Sequence, residues 1–262
     1  MLETSFAPSA TLGSLAPPHV PLAVATRGDA IDAVHYGSVA VVDCRGTLLY
    51  GAGDPHYLTT TRSALKPLQA MPFVAAGGVE RFGYTAAQVA LLCASHSGEP
   101  RHVDAVAGML ANSGSTADDL QCGTHAPGYY DVRGEAPPPP PWSPLAHNCS
   151  GKHSGMLAYC VLCGAPKASY LAFDHPLQQA IRRSVAHFTG VPEAQLVAGI
   201  DGCSAPNYNG AEIRWWIGGE ASRVATRPWT GSDGSSPPAC GLPCGVVGRA
   251  PFSAPMYALR SV

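Results

Sequence analysis

Apolar and polar residues follow one another along the chain in patterns that predict a short hairpin and then several helices. Ser38–Cys44 and Thr47–Tyr50 have the composition of strands on either side of Arg45-Gly46, which favours an antiparallel hairpin. Leu196–Ile200 is a candidate buried strand further along. Between them, the helical period of apolar residues predicts helices over residues 62–76, 89–93, 100–114, 154–163 and 176–188. This order favours a mixed α/β (α+β) fold with an antiparallel sheet.

Capping and proline residues indicate where these helices begin. Thr85 and Gln88 have the spacing of a capping box, in which each side chain bonds the other residue's backbone N–H. Pro100 suits the first turn of a helix, since its missing N–H would be unpaired there. Pro67 and Pro72 must lie near the start of their helix or kink it.

The ends of the chain differ in character from its middle. Residues 1–20 are rich in Pro, Ala and Ser, which predicts a loose lead-in. Pro137–Pro141 predicts a polyproline surface loop rather than a boundary between domains. After Pro206, residues 208–262 show neither the period of a strand nor that of a helix. Two explanations fit: a segment foreign to the fold, as from intron read-through or a frameshift, or a poorly ordered tail.

Composition excludes several classes of function. The 262 residues suffice for one large domain or two small ones. A net charge of −2 with 13% charged residues gives no reason to expect nucleic acid or a membrane surface as a partner. No apolar run is long enough to span a membrane, and the N-terminus lacks the regions of a secretory signal. We therefore expect a cytoplasmic protein whose nine cysteines are reduced thiols, packing residues or metal ligands.

Lysine is rare in this chain. Of 16 lysines and arginines only Lys66, Lys152 and Lys167 are lysines, which leaves 13 arginines. A guanidinium keeps its charge at physiological pH, whereas an ammonium whose pKa falls becomes a general base or a metal ligand. Because Lys66 and Lys152 lie inside short polar motifs, these motifs are the first candidates for chemistry.

Ser63 and Lys66 form a Ser-x-x-Lys motif. On a helix this spacing places the two side chains on one face, about 5–6 Å apart at Cβ. A neutral Lys66 amine can then take the Ser63 hydroxyl proton, which is the logic of serine β-lactamases and penicillin-binding proteins. The Ser-Asp-Asn and Lys-Thr-Gly motifs of those enzymes are absent from the sequence. Taken alone, the four-residue motif is weak, and a surface serine beside a lysine is the preferred interpretation.

Cys93–Glu99 is a second polar motif, placed where an apolar helix ends. It holds two hydroxyls, an imidazole and a carboxylate. Two interpretations stay open: a polar turn with local hydrogen bonds, or a helix end that presents Ser95 into a cleft beside Ser63.

A third motif contains Cys149 and Lys152, with Asp201-Gly202-Cys203 further along the chain. Zinc usually takes Cys, His and carboxylate ligands, so lysine is an unusual candidate. It can still bind if the metal displaces the proton of its amine. Cys160 and Cys163 have the spacing of a redox or zinc pair, but they fall within a predicted apolar helix. Core packing is therefore the preferred interpretation for them.

Together and in this order, the motifs resemble those of the Rhizobium-type L-asparaginases, the asparaginase II family, over about residues 20–207. The string from His147 to His153 is the most specific of them. The full set is Arg27-Gly28 with His35-Tyr36-Gly37, Arg62–Pro67, Cys93–Ser97, His147–His153 and Asp201–Pro206.

The resemblance implies a fold similar to that of serine β-lactamases and hydrolysis of L-asparagine to L-aspartate and ammonia. By this resemblance Ser63, Lys66 and Ser95 match the catalytic positions of the family. The expected partner is a small-molecule substrate, and a homodimer is one option for assembly.

The resemblance also implies a zinc cofactor with an unusual ligand set. Cys149, Lys152 and Cys203 match the zinc ligands of the family. Four further residues are expected around the metal or the substrate: Asp201, His153, Arg27 and His35.

The chain departs from the family pattern in two places. Asp32-Ala33 replaces the Glu-Ser that usually precedes the first histidine motif. Family members continue well past the Asp-Gly-Cys motif and supply a second catalytic lysine there, whereas this chain has none after Lys167. Residues 21–207 are thus expected to form an incomplete, C-terminally truncated catalytic domain. We expect an uncovered sheet face, poor solubility and little asparaginase activity.

Three functions are left to separate. The first is an amidohydrolase of the asparaginase II type, and the second is a zinc-binding remnant without turnover. The third is another serine hydrolase, such as an esterase or a glutaminase. Assays with asparagine, glutamine and a simple ester would separate the first from the third.

Overall fold

The computed structural model describes residues 18–43, 47–57 and 59–210. These residues form two compact units, one up to Thr59 and one from Thr60 to Gly210. The described residues form helices and small antiparallel sheets, which is a mixed α/β composition. Within the described part, no helix combines the length and apolar character that crossing a membrane requires. Most of the predicted lead-in and of the predicted tail lies outside the described residues.

The first unit consists of two hairpins. Strand β1 (Val20–Arg27) pairs antiparallel with β2 (Ala30–Gly37). Strand β3 (Val39–Val42) pairs antiparallel with β4 (Leu48–Ala52). The second pair confirms the two strands predicted on either side of residues 44–46, which themselves lie outside the described residues.

The sequence pattern does not predict the β1–β2 hairpin. Its register shifts between Pro21 and Ala23 and again between Ala25 and Thr26, so the strict alternation of side chains is interrupted. A period of two residues is therefore hard to recognise in this segment. The chain reverses at Gly28, whose φ of 61° is one that glycine adopts without strain.

Large apolar side chains of the first unit are exposed. Ile31 and Tyr36 on β2 are 66% and 63% exposed, and Leu49 and Tyr50 on β4 are 66% and 59% exposed. Apolar surface on strands of this kind favours association with other chains. The uncovered sheet face that we expected from a truncated domain stays a prediction.

The second unit is mainly helical. A 3₁₀ turn over Arg62–Leu65 leads into the first helix. The helices are α1 (Lys66–Ala75), α2 (Gly78–Phe82), α3 (Ala86–Leu92), α4 (Pro100–Asn112), α5 (Gly128–Arg133), α6 (Ser150–Cys163) and α7 (Pro176–Thr189). The strands β5 (Thr59–Thr60), β6 (Val197–Ile200) and β7 (Pro206–Gly210) form a sheet in the order β5–β7–β6.

Helix α6 lies at the centre of the second unit. Every residue from Ser150 to Cys160 is buried, and α1, α3, α4 and α7 pack against the helix. Its first turn nevertheless carries Ser150, Lys152 and His153, whose polar groups cannot reach bulk water. Buried polar groups are costly unless they are paired, so the surroundings of this turn must supply partners.

The predicted helix starts are largely confirmed. Thr85 and Gln88 form the capping box at the start of α3, with the Gln88 N–H donating to Thr85 Oγ1 at 3.3 Å. Pro100 is the first residue of α4 and Pro67 lies in the first turn of α1. Helix α6 begins at Ser150, earlier than predicted, because its polar first turn is buried and so hides the apolar period.

The strand near the end of the second unit differs from its prediction. Strand β6 exists, but Val197 and Ile200 are 50% and 62% exposed, so the prediction of a buried strand is wrong. Leu196 just before it is the buried residue. Strand β7 continues to Gly210 with Tyr208 buried, so regular structure runs past the predicted boundary at residue 207.

Gly151 provides a test of how closely α6 approaches α3. A Cβ at this position would lie 2.6 Å from the backbone oxygen of Leu91. A backbone atom cannot easily move away to relieve such a contact. We expect Gly151→Ala to lower the free energy of unfolding by about 1–3 kcal/mol, as overpacking does. Urea denaturation with an unchanged m-value would measure it.

Gly108 in α4 is the matched control for this substitution. A Cβ there would meet only Gln88 Nε2 at 3.6 Å, an ordinary contact. Gly108→Ala should therefore leave stability unchanged or raise it by up to about 1 kcal/mol, because alanine has the higher helix propensity. Equal effects at the two glycines would contradict the close approach of α6 and α3.

Candidate active site

Lys66 is the most unusual residue of the second unit, since it is fully buried at the start of α1. Its Nζ lies 2.7 Å from the carbonyl oxygen of Ala94 and 2.8 Å from Ser95 Oγ. The carbonyl oxygen of Asn148 lies 3.4 Å away. Three polar groups from the segments after α3 and before α6 thus converge on one amine.

Burial lowers the pKa of Lys66, because a charged ammonium loses its hydration there. Cys149 opposes this shift, and Lys152 adds to it. A neutral amine has two N–H groups and one lone pair. It can donate to the carbonyls of Ala94 and Asn148 while it accepts the Ser95 hydroxyl proton. The geometry therefore suits a lysine that acts as a base toward Ser95.

Ser95 and Ser63 are both exposed, unlike the lysine. Ser95 follows the end of α3, as predicted, and its hydroxyl is the one that Lys66 contacts. Ser63 lies in the 3₁₀ turn before α1, where its carbonyl oxygen accepts the backbone N–H of Lys66. The Lys66 amine is hydrogen bonded to Ser95 rather than to Ser63. The structure therefore shows a different serine beside the amine from the one that the Ser-x-x-Lys spacing predicts.

The backbone just before Ser63 is held in a strained conformation. Arg62 has a φ of 52°, a left-handed value that is costly for a bulky residue. Asn207 on β7 stabilises it from both sides. Asn207 Oδ1 accepts the Arg62 N–H at 3.2 Å, and its Nδ2 donates to the Arg62 carbonyl at 3.0 Å. Asn207 Oδ1 also accepts the Thr61 hydroxyl at 2.8 Å.

The contacts of Asn207 with Thr61 and Arg62 form a clamp on this turn, and Asp201 belongs to it. Its carboxylate forms an ion pair with Arg62 Nε at 2.9 Å and accepts the Gly202 N–H at 2.8 Å. The side chain of Asp201 thus supports the segment that carries Ser63. Its predicted place around the metal or the substrate stays a prediction.

Histidines hold the loop that enters α6. The backbone N–H of Asn148 donates to His125 Nε2 at 3.1 Å, and that of Cys149 donates to His147 Nδ1 at 3.0 Å. These two bonds satisfy donors that the start of a helix would otherwise leave unpaired. Burial lowers the pKa of His147 to about 4, with the nearby His125 contributing, so its ring is neutral at physiological pH.

His96 fixes the loop that carries Ser95. Its Nδ1 accepts the Gly98 N–H at 3.2 Å, so the proton sits on Nε2, which lies 2.9 Å from Ser150 Oγ. Ser150 in turn donates its own hydroxyl proton to the Leu145 carbonyl at 2.7 Å. Burial lowers the pKa of His96 to about 4, which keeps this neutral tautomer. The loop after α3 and the start of α6 are thereby joined.

The cysteines of the third motif meet Lys152 in the interior. Lys152 Nζ lies 3.1 Å from Cys203 Sγ, and all three residues Cys149, Lys152 and Cys203 are buried. A hydrogen bond from the Cys149 thiol lowers the pKa of Cys203, and the same bond raises the pKa of Cys149. Cys203 lies in the turn from β6 to β7, where Ser204 adopts a φ of 65°. The turn thus brings one sulfur to the first turn of α6.

His153 lies against this cluster and is fully buried. Burial lowers its pKa to about 4, although the Cys203 sulfur acts in the opposite direction. Its Nδ1 lies 2.6 Å from the hydroxyl of Tyr170. Its Nε2 is buried without a hydrogen bond of good geometry, and the Cys203 sulfur is near enough to interact with it.

The donors of this cluster fit a zinc ion only if the lysine takes part. In residues 18–43, 47–57 and 59–210, no group of three His, Cys, Asp or Glu could hold a metal. The two buried sulfurs and the Lys152 amine do converge, and a lone pair on that amine becomes available once its proton is lost. Zinc accepts both sulfur and nitrogen ligands, so two thiolates and one amine suit it.

Two of the predicted site residues, Arg27 and His35, lie in the first unit. Arg27 ends β1 and forms an ion pair with Asp32 at 3.0 Å, in which the Arg27 side chain is 83% exposed. His35 lies on β2 opposite Ala23 and is exposed.

Sequence reasoning missed Asn207 and Tyr170 in the second unit. Neither lies in a recognisable motif, so only the long-range contacts identify them.

Cys160 packs in the core of the second unit. Cys160 is fully buried in α6, and burial raises the pKa of its thiol to about 12. This agrees with the prediction that it is a packing residue. None of the six cysteines in the described part forms a disulfide.

The L-asparaginase II family matches the chain over residues 23–211, which is most of its length. The chain belongs to the L-asparaginase II family. The match confirms the resemblance inferred from the motifs and covers both sets of converging residues. No curated protein matched the chain in a direct comparison. Hydrolysis of asparagine is thereby supported at the level of the family.

Asn207→Ala tests the clamp on Arg62. The change removes an acceptor for two donors and a donor for one carbonyl; the bond to the Thr61 hydroxyl is buried, and the two bonds to the Arg62 backbone are partly buried. We expect the free energy of unfolding to fall by about 2–3 kcal/mol, since unsatisfied buried groups cost about that much. Chemical denaturation followed by circular dichroism would measure the change.

Asn112 is the matched control. It is exposed, and its side chain donates one hydrogen bond to the Phe82 carbonyl at 3.1 Å. Asn112→Ala should cost less than about 1 kcal/mol. If both asparagines had the same small effect, the clamp would not be needed to hold the Arg62 turn.

Proposed function

We propose that this protein hydrolyses the side-chain amide of L-asparagine to L-aspartate and ammonia through a serine and a lysine. The family match supports the substrate, and the observation that carries the mechanism is the short contact between Lys66 Nζ and Ser95 Oγ. The buried amine provides the base, and the exposed hydroxyl provides access for a small molecule. We retain the serine β-lactamase-like fold, the cytoplasmic location and a homodimer as further proposals.

The first half of the reaction transfers the acyl group to serine. The serine oxygen attacks the amide carbon of the substrate while its proton passes to the lone pair of Lys66. The tetrahedral intermediate then expels the amide nitrogen, which takes the proton from Lys66 and leaves as ammonia. An ester between aspartate and the serine remains.

Hydrolysis of that ester completes the cycle. Water attacks the ester carbon and gives its proton to Lys66, and the serine oxygen recovers the proton as the ester bond breaks. The Ser95 hydroxyl is the group that Lys66 can deprotonate in the described geometry. Ser63 remains the alternative nucleophile that the Ser-x-x-Lys motif predicts. An experiment that locates the acyl group on one serine or the other separates the two.

A zinc ion fits this proposal as a structural element beside the lysine. Cys149, Lys152 and Cys203 would hold it. When bound, zinc would tie the first turn of α6 to the turn between β6 and β7. Asn148 and Asn207 adjoin these two segments, and they contact Lys66 and Arg62 respectively. The fold of the chain would bring the two segments together, and Cys149, Lys152 and Cys203 would bind the metal in their deprotonated forms.

A Lys66 variant tests the base. We expect Lys66→Met to abolish ammonia release from asparagine, because methionine fills a similar volume but has no amine to accept the proton. Loss of a positioned base typically costs about 10²–10⁴-fold in rate. Ser97→Ala is the matched control, since that hydroxyl lies in the same loop but donates to Glu99 at 3.0 Å. It should keep the rate of the unaltered chain.

Acyl mapping identifies the nucleophile even when turnover is slow. A β-aryl ester of L-aspartate should release one burst of phenol and leave aspartate on Ser95, as located by peptide mass spectrometry. Label on Ser63 would assign the nucleophile to the Ser-x-x-Lys motif. Faster hydrolysis of glutamine or of a simple ester than of asparagine would favour the other serine hydrolases. A burst-free chain that still binds zinc would indicate the remnant without turnover.

Metal analysis tests the zinc site separately. Protein purified under reducing conditions should contain about one zinc per chain and lose it in Cys149→Ser and in Cys203→Ser. Cys160→Ser should retain it, since Cys160 packs in the core. Chelation should lower the melting temperature of the unaltered chain and leave that of Cys203→Ser unchanged. Folded, reduced protein without zinc would sink the ligand assignment.

A further inference from the structure

His125 is a half-buried residue that the proposed mechanism does not use. It lies in the loop between α4 and α5. Its Nδ1 lies 2.7 Å from the carbonyl oxygen of Ala126, and its Nε2 lies 3.1 Å from the backbone nitrogen of Asn148. The ring also meets that of His147 at a centroid distance of 4.4 Å. Both ring nitrogens are therefore engaged by backbone groups.

The two backbone partners fix the tautomer of His125. A carbonyl oxygen can only accept a hydrogen bond, so Nδ1 carries the proton that is donated to Ala126. A backbone N–H can only donate, so Nε2 keeps a lone pair for Asn148. The contact of Nδ1 with the neighbouring carbonyl also sets the orientation of the ring. His125 is thus an oriented acceptor for the backbone of Asn148.

Asn148 contacts both members of the proposed serine–lysine pair through its carbonyl oxygen. This oxygen accepts the backbone N–H of His96 at 3.1 Å, and that N–H belongs to the peptide bond that follows Ser95. The same oxygen lies 3.4 Å from Lys66 Nζ. A displacement of Asn148 would therefore act on the loop that carries the serine and on the amine together.

We propose that His125 is a positioning residue for the serine–lysine pair, whose geometry it maintains through the backbone of Asn148. The catalytic part of this inference rests on the proposed function. The hydrogen bonds that carry it do not, because they can be measured in a chain without turnover.

A small displacement matters at such a pair. The Lys66 amine and the Ser95 hydroxyl are 2.8 Å apart, which is within the reach that proton transfer to a base needs. A misplacement of about 1 Å can cost about 10²-fold in rate. Asn148 lies in the turn just before α6, and in the described part of the chain its N–H has His125 as acceptor.

Two substitutions separate the roles of the two ring nitrogens. His125→Gln places its amide near the position of Nε2, so that the amide oxygen can still accept the Asn148 N–H. His125→Asn places its amide near the position of Nδ1, where it can donate to Ala126 but is too short to reach Asn148. Both variants lose the aromatic ring. A role in packing alone would impair both, whereas positioning predicts that His125→Asn is the impaired one.

Nitrogen NMR of the labelled full chain tests the contacts. We expect His125 to carry its proton on Nδ1 and to show a hydrogen-bond coupling between Nε2 and the Asn148 amide nitrogen. In His125→Asn, the amides of Asn148 and His96 should exchange with solvent about tenfold faster, as loss of one hydrogen bond predicts. In His125→Gln they should exchange at nearly the unaltered rate. A proton on Nε2 of the unaltered chain, or unchanged exchange in His125→Asn, would overturn the proposal.

The burst with a β-aryl ester of L-aspartate tests the effect on chemistry. His125→Asn should lower the rate constant of the burst by about 10²-fold. The ester concentration that gives the half-maximal rate should stay within about twofold, since positioning of the reacting pair does not change ground-state binding. The burst amplitude should be that of the unaltered chain, and His125→Gln should recover most of the rate. Equal rate constants in the two variants, or a loss of amplitude alone, would assign His125 a role in folding and overturn the positioning role.

His187→Asn is the matched control. His187 is exposed in α7, where its ring meets that of Phe188 at a centroid distance of 4.9 Å. The substitution should change neither the exchange of the two amides nor the rate constant of the burst. An equal loss of rate in His187→Asn and His125→Asn would contradict a specific role for His125.

The outcomes separate this inference from the proposed function. If the unaltered chain forms no acyl-serine, the proposed function fails, and exchange of the His96 amide in His125→Asn still decides whether His125 holds the serine loop. If His125→Asn does not fold, the unaltered chain decides: the coupling between His125 and Asn148 supports the proposal, and its absence overturns it.

Discussion

The burial of a polar helix start governs the second unit. The first turn of α6 carries a lysine, a histidine and a serine to the centre of the unit, where water cannot satisfy them. Every partner must therefore come from elsewhere in the chain. The Cys203 sulfur contacts Lys152, and the Tyr170 hydroxyl contacts His153. The Leu145 carbonyl and His96 contact the Ser150 hydroxyl. These contacts hold the loops that carry Ser95 and Cys203 against the helix start.

Lys66 and Lys152 illustrate why two lysines in one interior need different surroundings. Lys66 faces two carbonyls and a hydroxyl, whereas Lys152 faces a sulfur. Their mutual repulsion helps to lower the pKa of Lys66, as burial does more strongly. An arginine at either position would keep its charge, so the scarcity of lysine elsewhere in the chain marks these two places as chemically distinct.

Much of the site was predictable because its residues lie in short motifs. Type and spacing single out Ser63 and Lys66, and the resemblance to the family adds Ser95, Cys149, Lys152 and Cys203. Asn207 and Tyr170 are not among them, because their roles depend on contacts with Arg62 and His153 that no local pattern encodes. The same holds for the partner of Lys66: helical spacing pointed to Ser63, whereas tertiary packing brings the Ser95 hydroxyl to the amine. The bulged β1–β2 hairpin escaped prediction because its alternation is broken.

The clamp between Asn207 and Arg62 has a consequence for how the protein is made. The two residues are separated by 145 positions, so the turn that carries Ser63 leaves the ribosome long before its clamp. At about 5–20 residues per second, synthesis of the intervening chain takes about 7–30 s. During that interval nothing from β7 holds Arg62 in its left-handed conformation. The residues at the start of α1 are therefore made early, but their final geometry is imposed late, by one of the last strands that the structure describes.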